Sequence, residues 1–74
     1  MARKEIRSEI TGSLWKVLKK PGDRVTDDDQ LMILESMKME IPILAEATGT
    51  VVELPVTEGS PVAEGQVVAV LEVE

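Results

Sequence analysis

The chain contains no cysteine, no histidine and no tyrosine. Without cysteine there is no disulfide framework, no thiol nucleophile and no thiolate metal site. Without histidine the commonest general base and the commonest metal ligand are missing. A hydrolase is therefore the weakest functional reading. No run of 18 apolar residues occurs, so no membrane-spanning helix is expected. The first ten residues, MARKEIRSEI, carry basic residues with no apolar stretch behind them, so no signal peptide is expected and the expected location is cytoplasmic.

What is present is small and acidic. At 74 residues, read as one domain over 1–74, the chain lies below the usual domain size of about 100–150 residues. A domain of this size buries only about 60% of the surface its unfolded chain exposes, so it cannot both keep a core and enclose a deep pocket. Lys and Arg number 8 against 14 Asp and Glu, a net charge of −6. Such a chain repels phosphate backbones, and no nucleic-acid partner is expected. Asp27-Asp28-Asp29 lacks the alternate spacing of a calcium loop and reads as a solvated turn; no metal site is expected.

The apolar pattern is that of strands. Val (10), Ile (5) and Thr (5) supply many stiff β-branched side chains. Gly or Pro punctuates the chain every ten residues or so, as in an all-β sandwich or barrel. Ile6, Ser8 and Ile10 alternate with Glu5, Arg7 and Glu9. Strands are predicted there, around 14–18, at 31–34, 41–45, 50–56 and 67–73, with almost no helix. Pro42 and Pro55 cannot donate to a ladder and are predicted at edges or strand starts.

The sequence also repeats. Displaced by 37 positions, residues 3–37 match 40–74 at Ile6/Ile43, Glu9/Glu46, Thr11/Thr48, Gly12/Gly49, Gly22/Gly59, Val25/Val62, Leu34/Leu71 and Glu35/Glu72. Self-similarity at a fixed spacing marks a structural repeat. It predicts two four-stranded copies, packed face to face about a pseudo-twofold, each copy covering the apolar face of the other. Pro21-Gly22 suits the middle of a type II turn, and Gly59 repeats it. Asp28 stands where the second copy has Gly65, and is predicted to keep the same turn shape.

Between the copies lies Glu35-Ser36-Met37-Lys38-Met39-Glu40. The displacement maps this segment onto the place where the chain starts and stops, so the turn is predicted at the pole opposite both. Two methionines flank a lysine there. Exposed, they suggest contact with a partner; folded down onto the hairpin, they would be ordinary packing. The pattern leaves both open. Glu35 and Glu40 flank the turn and read as solvated hairpin residues.

Met37-Lys38-Met39 within LESMKMEIP, the Gly22–Val25 and Gly59–Val62 turns and the internal repeat together resemble the biotinyl domains of biotin-dependent carboxylases. The likeness is greatest to the small free-standing biotin attachment proteins of bacteria. The resemblance implies a flattened barrel of two four-stranded antiparallel sheets, related by a pseudo-twofold, with the modified lysine on a projecting hairpin. It implies that Lys38 carries biotin covalently, and that Met37 and Met39, with Glu35, serve recognition by a biotin protein ligase. It further implies a non-catalytic carrier, a monomer in isolation. Its biotin is carboxylated by a biotin carboxylase from ATP and bicarbonate, and a carboxyltransferase then takes the carboxyl group, commonly for an acyl-CoA. Asp28-Asp29 departs from the family's more usual glycine followed by a polar residue. The halves align without a gap, so no thumb insertion is present. A lipoyl carrier, whose tip resembles Glu-x-Asp-Lys-Ala, is the nearest alternative, and an unmodified acidic interaction module is another.

Overall fold

The computed structural model describes residues 2–74. Eight strands follow in order: β1 (Ala2–Arg7), β2 (Gly12–Val17), β3 (Arg24–Val25), β4 (Gln30–Ser36), β5 (Met39–Leu44), β6 (Gly49–Glu53), β7 (Pro61–Val62) and β8 (Val67–Val73). No helix occurs among the described residues. The strands form two four-stranded antiparallel sheets, β1-β8-β6-β3 and β5-β4-β2-β7.

A displacement of 37 carries β1 onto β5, β2 onto β6, β3 onto β7 and β4 onto β8, and so exchanges the two sheets. Each sheet nevertheless takes two strands from each copy. This corrects the expectation that each copy makes its own sheet and covers the other. The copies interleave instead: β1 and β3 are the two edges of a sheet whose middle strands, β8 and β6, come from the second copy. The repeat extends to the irregularities. Trp15 is left unpaired between Leu14↔Leu34 and Lys16↔Ile33, and Val52 between Val51↔Leu71 and Glu53↔Val70. These bulges bend the central strands and sharpen their twist.

Period-two alternation sends one set of side chains between the sheets. Leu14, Met32 and Leu34 meet Val51, Ala69 and Leu71 there, and Leu31 and Val68, skipped where the register of β4 against β5 and of β8 against β1 shifts, are buried in the same core. Val25 and Val62 close the two ends of the layer from strands of only two residues. Each fully buried side chain of this kind contributes roughly 1.5–3 kcal/mol.

The turns follow the sequence with one exception. Gly22 (φ +97°) and Gly59 (φ +88°) occupy matching turns, closed by Asp23 N–H to Lys20 O and Ser60 N–H to Thr57 O, both 3.0 Å. Gly65 (φ +86°) lies in the turn closed by Gln66 N–H to Ala63 O. Its counterpart keeps the closing bond, Asp29 N–H to Thr26 O at 3.1 Å, but Asp28 does not enter positive φ. The predicted identity of shape is thus corrected. A side chain at positive φ is penalised, and a turn with negative φ at that position makes the same hydrogen bond without the penalty. The Asp29 carboxylate accepts from Thr26 N at 2.8 Å, so it serves the turn. Pro42 lies in β5, an edge strand, as expected. Pro55 lies beyond β6, which stops at Glu53, short of the predicted Val56.

Candidate functional site

The β4–β5 pair keeps its register to the last rung, Ser36↔Met39, leaving Met37 and Lys38 as the entire loop. A two-residue hairpin of this hand needs positive φ at both central positions and normally uses Asn-Gly. Here Met37 has φ 51° and Lys38 φ 67°. Side-chain-bearing residues pay roughly 1–2 kcal/mol each in this region. The surrounding structure imposes the conformation. Ser36 Oγ donates to Thr11 O at 3.0 Å, and Thr11 Oγ1 accepts from Glu64 N at 3.1 Å. The backbone of Gly12 runs so close beneath β4 that a Cβ there would lie 2.6 Å from Glu35 O.

Met37 is 92% exposed and Met39 63%. The methionines therefore stand in solvent, and of the two possibilities left open by the spacing the structure has the first. Lys38 is exposed, and its amine enters no hydrogen bond or ion pair among the described residues. Glu35 and Glu40 are also exposed, and they face one another directly across the strands. Like charges in that position are destabilising. At the symmetry-related rung Arg3 faces Glu72, an attractive pair. The tip thus gives up stability twice over, through left-handed backbone at Met37 and Lys38 and, compared with the Arg3–Glu72 rung, through charge.

This strain has a direct check. Lys38→Gly will remove a side chain from the left-handed region and raise stability by about 1 kcal/mol, some 4–8 °C in Tm for a domain of this size. Thermal unfolding followed by circular dichroism reads this, and an unchanged or lower Tm would show that the turn is unstrained.

A shallow cleft of about 250 Å³ opens between the edge strands β1 and β5, floored by Ile6, Ile10, Ile41 and Ile43. It does not include Met37, Lys38 or Met39. The lysine is therefore presented outward, not enclosed. Among the described residues no three acidic side chains gather as a metal site. Ser36, Thr11 and Gly12 were not identified as site residues from the sequence. The one available signal was the match of Thr11-Gly12 to Thr48-Gly49 in the repeat. The turn also stands far from the start of β1. That strand pairs with the end of β8 at Ala2↔Val73 and runs towards the hairpin, where the segment after Arg7 brings Thr11 beneath Ser36. The molecule measures 36 × 18 × 17 Å.

An eight-stranded body that offers on a solvent-exposed two-residue hairpin an amine without a hydrogen-bond or ion-pair partner among the described residues has the form of a carrier domain. Residues 4–71 match the biotin/lipoyl family described as biotin-requiring enzyme, and the chain belongs to that family. It is 49% identical over 59 residues to the biotin/lipoyl attachment protein of Bacillus subtilis, covering 80% of this chain and 81% of that one. It is 40% identical over 67 residues to the biotinylated protein TB7.3 homolog of Mycobacterium leprae, covering 90% and 94%. Among solved structures it superposes on the urea carboxylase of Kluyveromyces lactis with a TM-score of 0.91 at 33% identity, covering 97% of this chain and 6% of that one. It superposes on a single-chain, multi-domain long-chain acyl-CoA carboxylase with a TM-score of 0.90 at 26% identity, covering 97% and 7%. The chain is thus a biotin carrier domain, non-catalytic in itself.

Proposed function

We propose that Lys38 is the residue biotinylated, and that the loaded chain moves carboxyl groups between a biotin carboxylase and a carboxyltransferase of an acyl-CoA carboxylase. The reading rests above all on the two-residue turn that holds Lys38 at positive φ in full solvent. Biotin, when bound, supplies the carboxyl-carrying chemistry. The chain's residues supply presentation. The Lys38 amine is nucleophilic only once the ligase has taken its proton. It then attacks the biotin carboxyl carbon, which the ligase presents in activated form: the amide C–N bond forms as the bond to the activating group breaks, that group leaves with the electron pair, and the side chain loses its charge. Met37 and Met39 offer soft apolar surface on either side, and Glu35 a carboxylate beside it, for a biotin protein ligase to recognise. The tethered arm gains a high effective concentration at each partner site it can reach. We place the protein in the cytoplasm as a monomer.

Lys38→Arg keeps the positive charge but lacks an amine the ligase can acylate. Labelling by a biotin protein ligase, read by intact mass, will fall to zero while the circular dichroism spectrum is unchanged. Full labelling of this variant would sink the assignment. The name of the Bacillus subtilis relative includes lipoyl attachment, so the choice of cofactor needs its own test. Changing Met37→Asp together with Met39→Ala will shift labelling from biotin towards lipoate. Both side chains are mostly in solvent, so Tm will fall only slightly. A loss comparable to the roughly 2–5 kcal/mol of a core truncation would show them to be structural instead.

A further inference from the structure

The chain has four methionines, at positions 1, 32, 37 and 39. Two of them stand in opposite settings to a third. Met32 is fully buried between the sheets, a thioether used to fill the core. Met37 and Met39 are exposed on either side of Lys38, and neither belongs to that core. The pseudo-twofold repeats no methionine at their twin positions, which are Glu74 and Ala2. Met37 also sits at φ 51°, where a side chain is penalised and the turn would normally take Asn-Gly. Neither packing nor turn geometry accounts for a thioether at these two places.

A thioether has one reaction that Leu, Ile and Val lack. Its sulfur lone pair attacks an oxygen of a hydroperoxide. The S–O bond forms as the O–O bond breaks, sulfur is oxidised to the sulfoxide and the peroxide is reduced. With hydrogen peroxide the departing hydroxide takes up the proton left on the transferred oxygen, and water is the product. Access of the oxidant selects which methionine reacts. The chain has no cysteine, whose thiolate would otherwise be the competing sulfur nucleophile. The oxidant thus reaches Met37 and Met39 while the two sheets cover Met32. The product is polar and chiral where the thioether was apolar and flexible. Its oxygen is well hydrated in the open hairpin, and burying it against an apolar surface without a donor is costly. Both changes fall one residue away from the Lys38 amine.

We infer that Met37 and Met39 form a peroxide-sensitive modification site, and that their conversion to sulfoxides closes Lys38 to the ligase until a methionine sulfoxide reductase reverses it. The second part rests on the carrier reading above. The fold lets such a switch act on recognition alone. Met37 lies outside the strand ladder, and Met39 holds only its last rung, opposite Ser36. Oxygen added to either sulfur displaces no core neighbour, so the body of the domain stays folded while the surface offered beside the amine changes from apolar to polar.

The test uses the full chain before labelling. It is treated with hydrogen peroxide, freed of it by catalase and gel filtration, and only then mixed with a biotin protein ligase, ATP and biotin. That order keeps the oxidant away from the ligase and from the thioether of biotin itself. Peptide mass mapping will show sulfoxide forming at Met37 and Met39 at least tenfold faster than at Met32, with thermal unfolding by circular dichroism still cooperative. The initial labelling rate will fall at least tenfold, and the two classes of methionine sulfoxide reductase together will restore it. Met37→Leu with Met39→Leu removes both sulfurs and keeps apolar side chains. Compared with its own untreated sample, this variant will lose less than twofold in rate to peroxide. An equal loss in the variant and the wild type would overturn the inference, because the sensitive group would then lie elsewhere, as at the half-exposed Trp15. Labelling of the oxidised wild type within twofold of the untreated chain would overturn it too, as would Met32 reacting as fast as Met37. If the untreated wild type takes up no biotin while sulfoxide still forms first at Met37 and Met39, the carrier reading fails and takes the gating with it, and the oxidation site stands.

Discussion

Residues 1–38 produced alone will show no cooperative unfolding and little amide protection. Such a half holds β1 to β4, and of these only β2 and β4 are neighbours. β1 and β3 lie at opposite edges of their sheet, separated by β8 and β6, which would be absent. Both would have no ladder at all. The half would also lose Val51, Val68, Ala69 and Leu71, the apolar layer against which Leu14, Leu31 and Leu34 pack. A two-stranded remnant with one bare apolar face is marginal at best in water, and there is no cysteine to staple it. Mixing the two halves at high concentration restores every missing neighbour except the Lys38–Met39 peptide bond, so cooperative unfolding should reappear in the mixture. A dispersed, monomeric NMR spectrum from the first half alone would refute the interleaved architecture.

That interleaving is also where the sequence stopped being legible. Alternation and turn glycines show which residues point inward and where the chain reverses, and the 37-residue displacement shows that the two halves are built alike. None of these signals says which strand lies beside which. Face-to-face copies and interleaved copies bury the same side chains, so Leu14, Leu34, Val51 and Leu71 look identical in either arrangement. β3 and β7 are two residues long and carry no periodicity of their own; only Val25 and Val62, matched in the repeat, mark them. The site was read in part. Met-Lys-Met at the junction of the copies located the tip through a resemblance, and the spacing put it in a tight turn. The brace under it was not visible, because Ser36 meets Thr11 from 25 residues away, and the close approach of Gly12 to β4 likewise joins segments distant in sequence. Trp15 read as one more residue of a strand, since its exposure comes from a bulge that the apolar pattern does not encode.

Gly12→Ala and Gly49→Ala are the same lesion at the two ends of the pseudo-twofold, and their outcomes will differ. A Cβ at Gly49 would collide with Glu72 O and stand 2.9 Å from Val73 Cα. All of these atoms are backbone of the paired strand β8, so no side chain can rotate away. Separation of β6 from β8 at Gly49↔Val73 is the only relief, and it opens the sheet that also holds β1. A loss of about 3 kcal/mol or more follows, at the upper end for overpacking, and lowers Tm by well over ten degrees. At Gly12 the added carbon would lie 2.6 Å from Glu35 O and 3.2 Å from Ser36 Cβ. The strand it pushes is the arm of the hairpin, which has no strand pairing beyond the Ser36↔Met39 rung. Gly12→Ala will therefore be the milder change in stability. It will break the Ser36–Thr11 bond, release the positive φ at Met37 and Lys38, and slow labelling by a biotin protein ligase. Gly49→Ala, assayed well below its own Tm, leaves the hairpin untouched and will label at the normal rate. Measured Tm and labelling rates for the pair separate the two effects: equal labelling by both variants would show that the brace beneath the hairpin has no part in presenting Lys38.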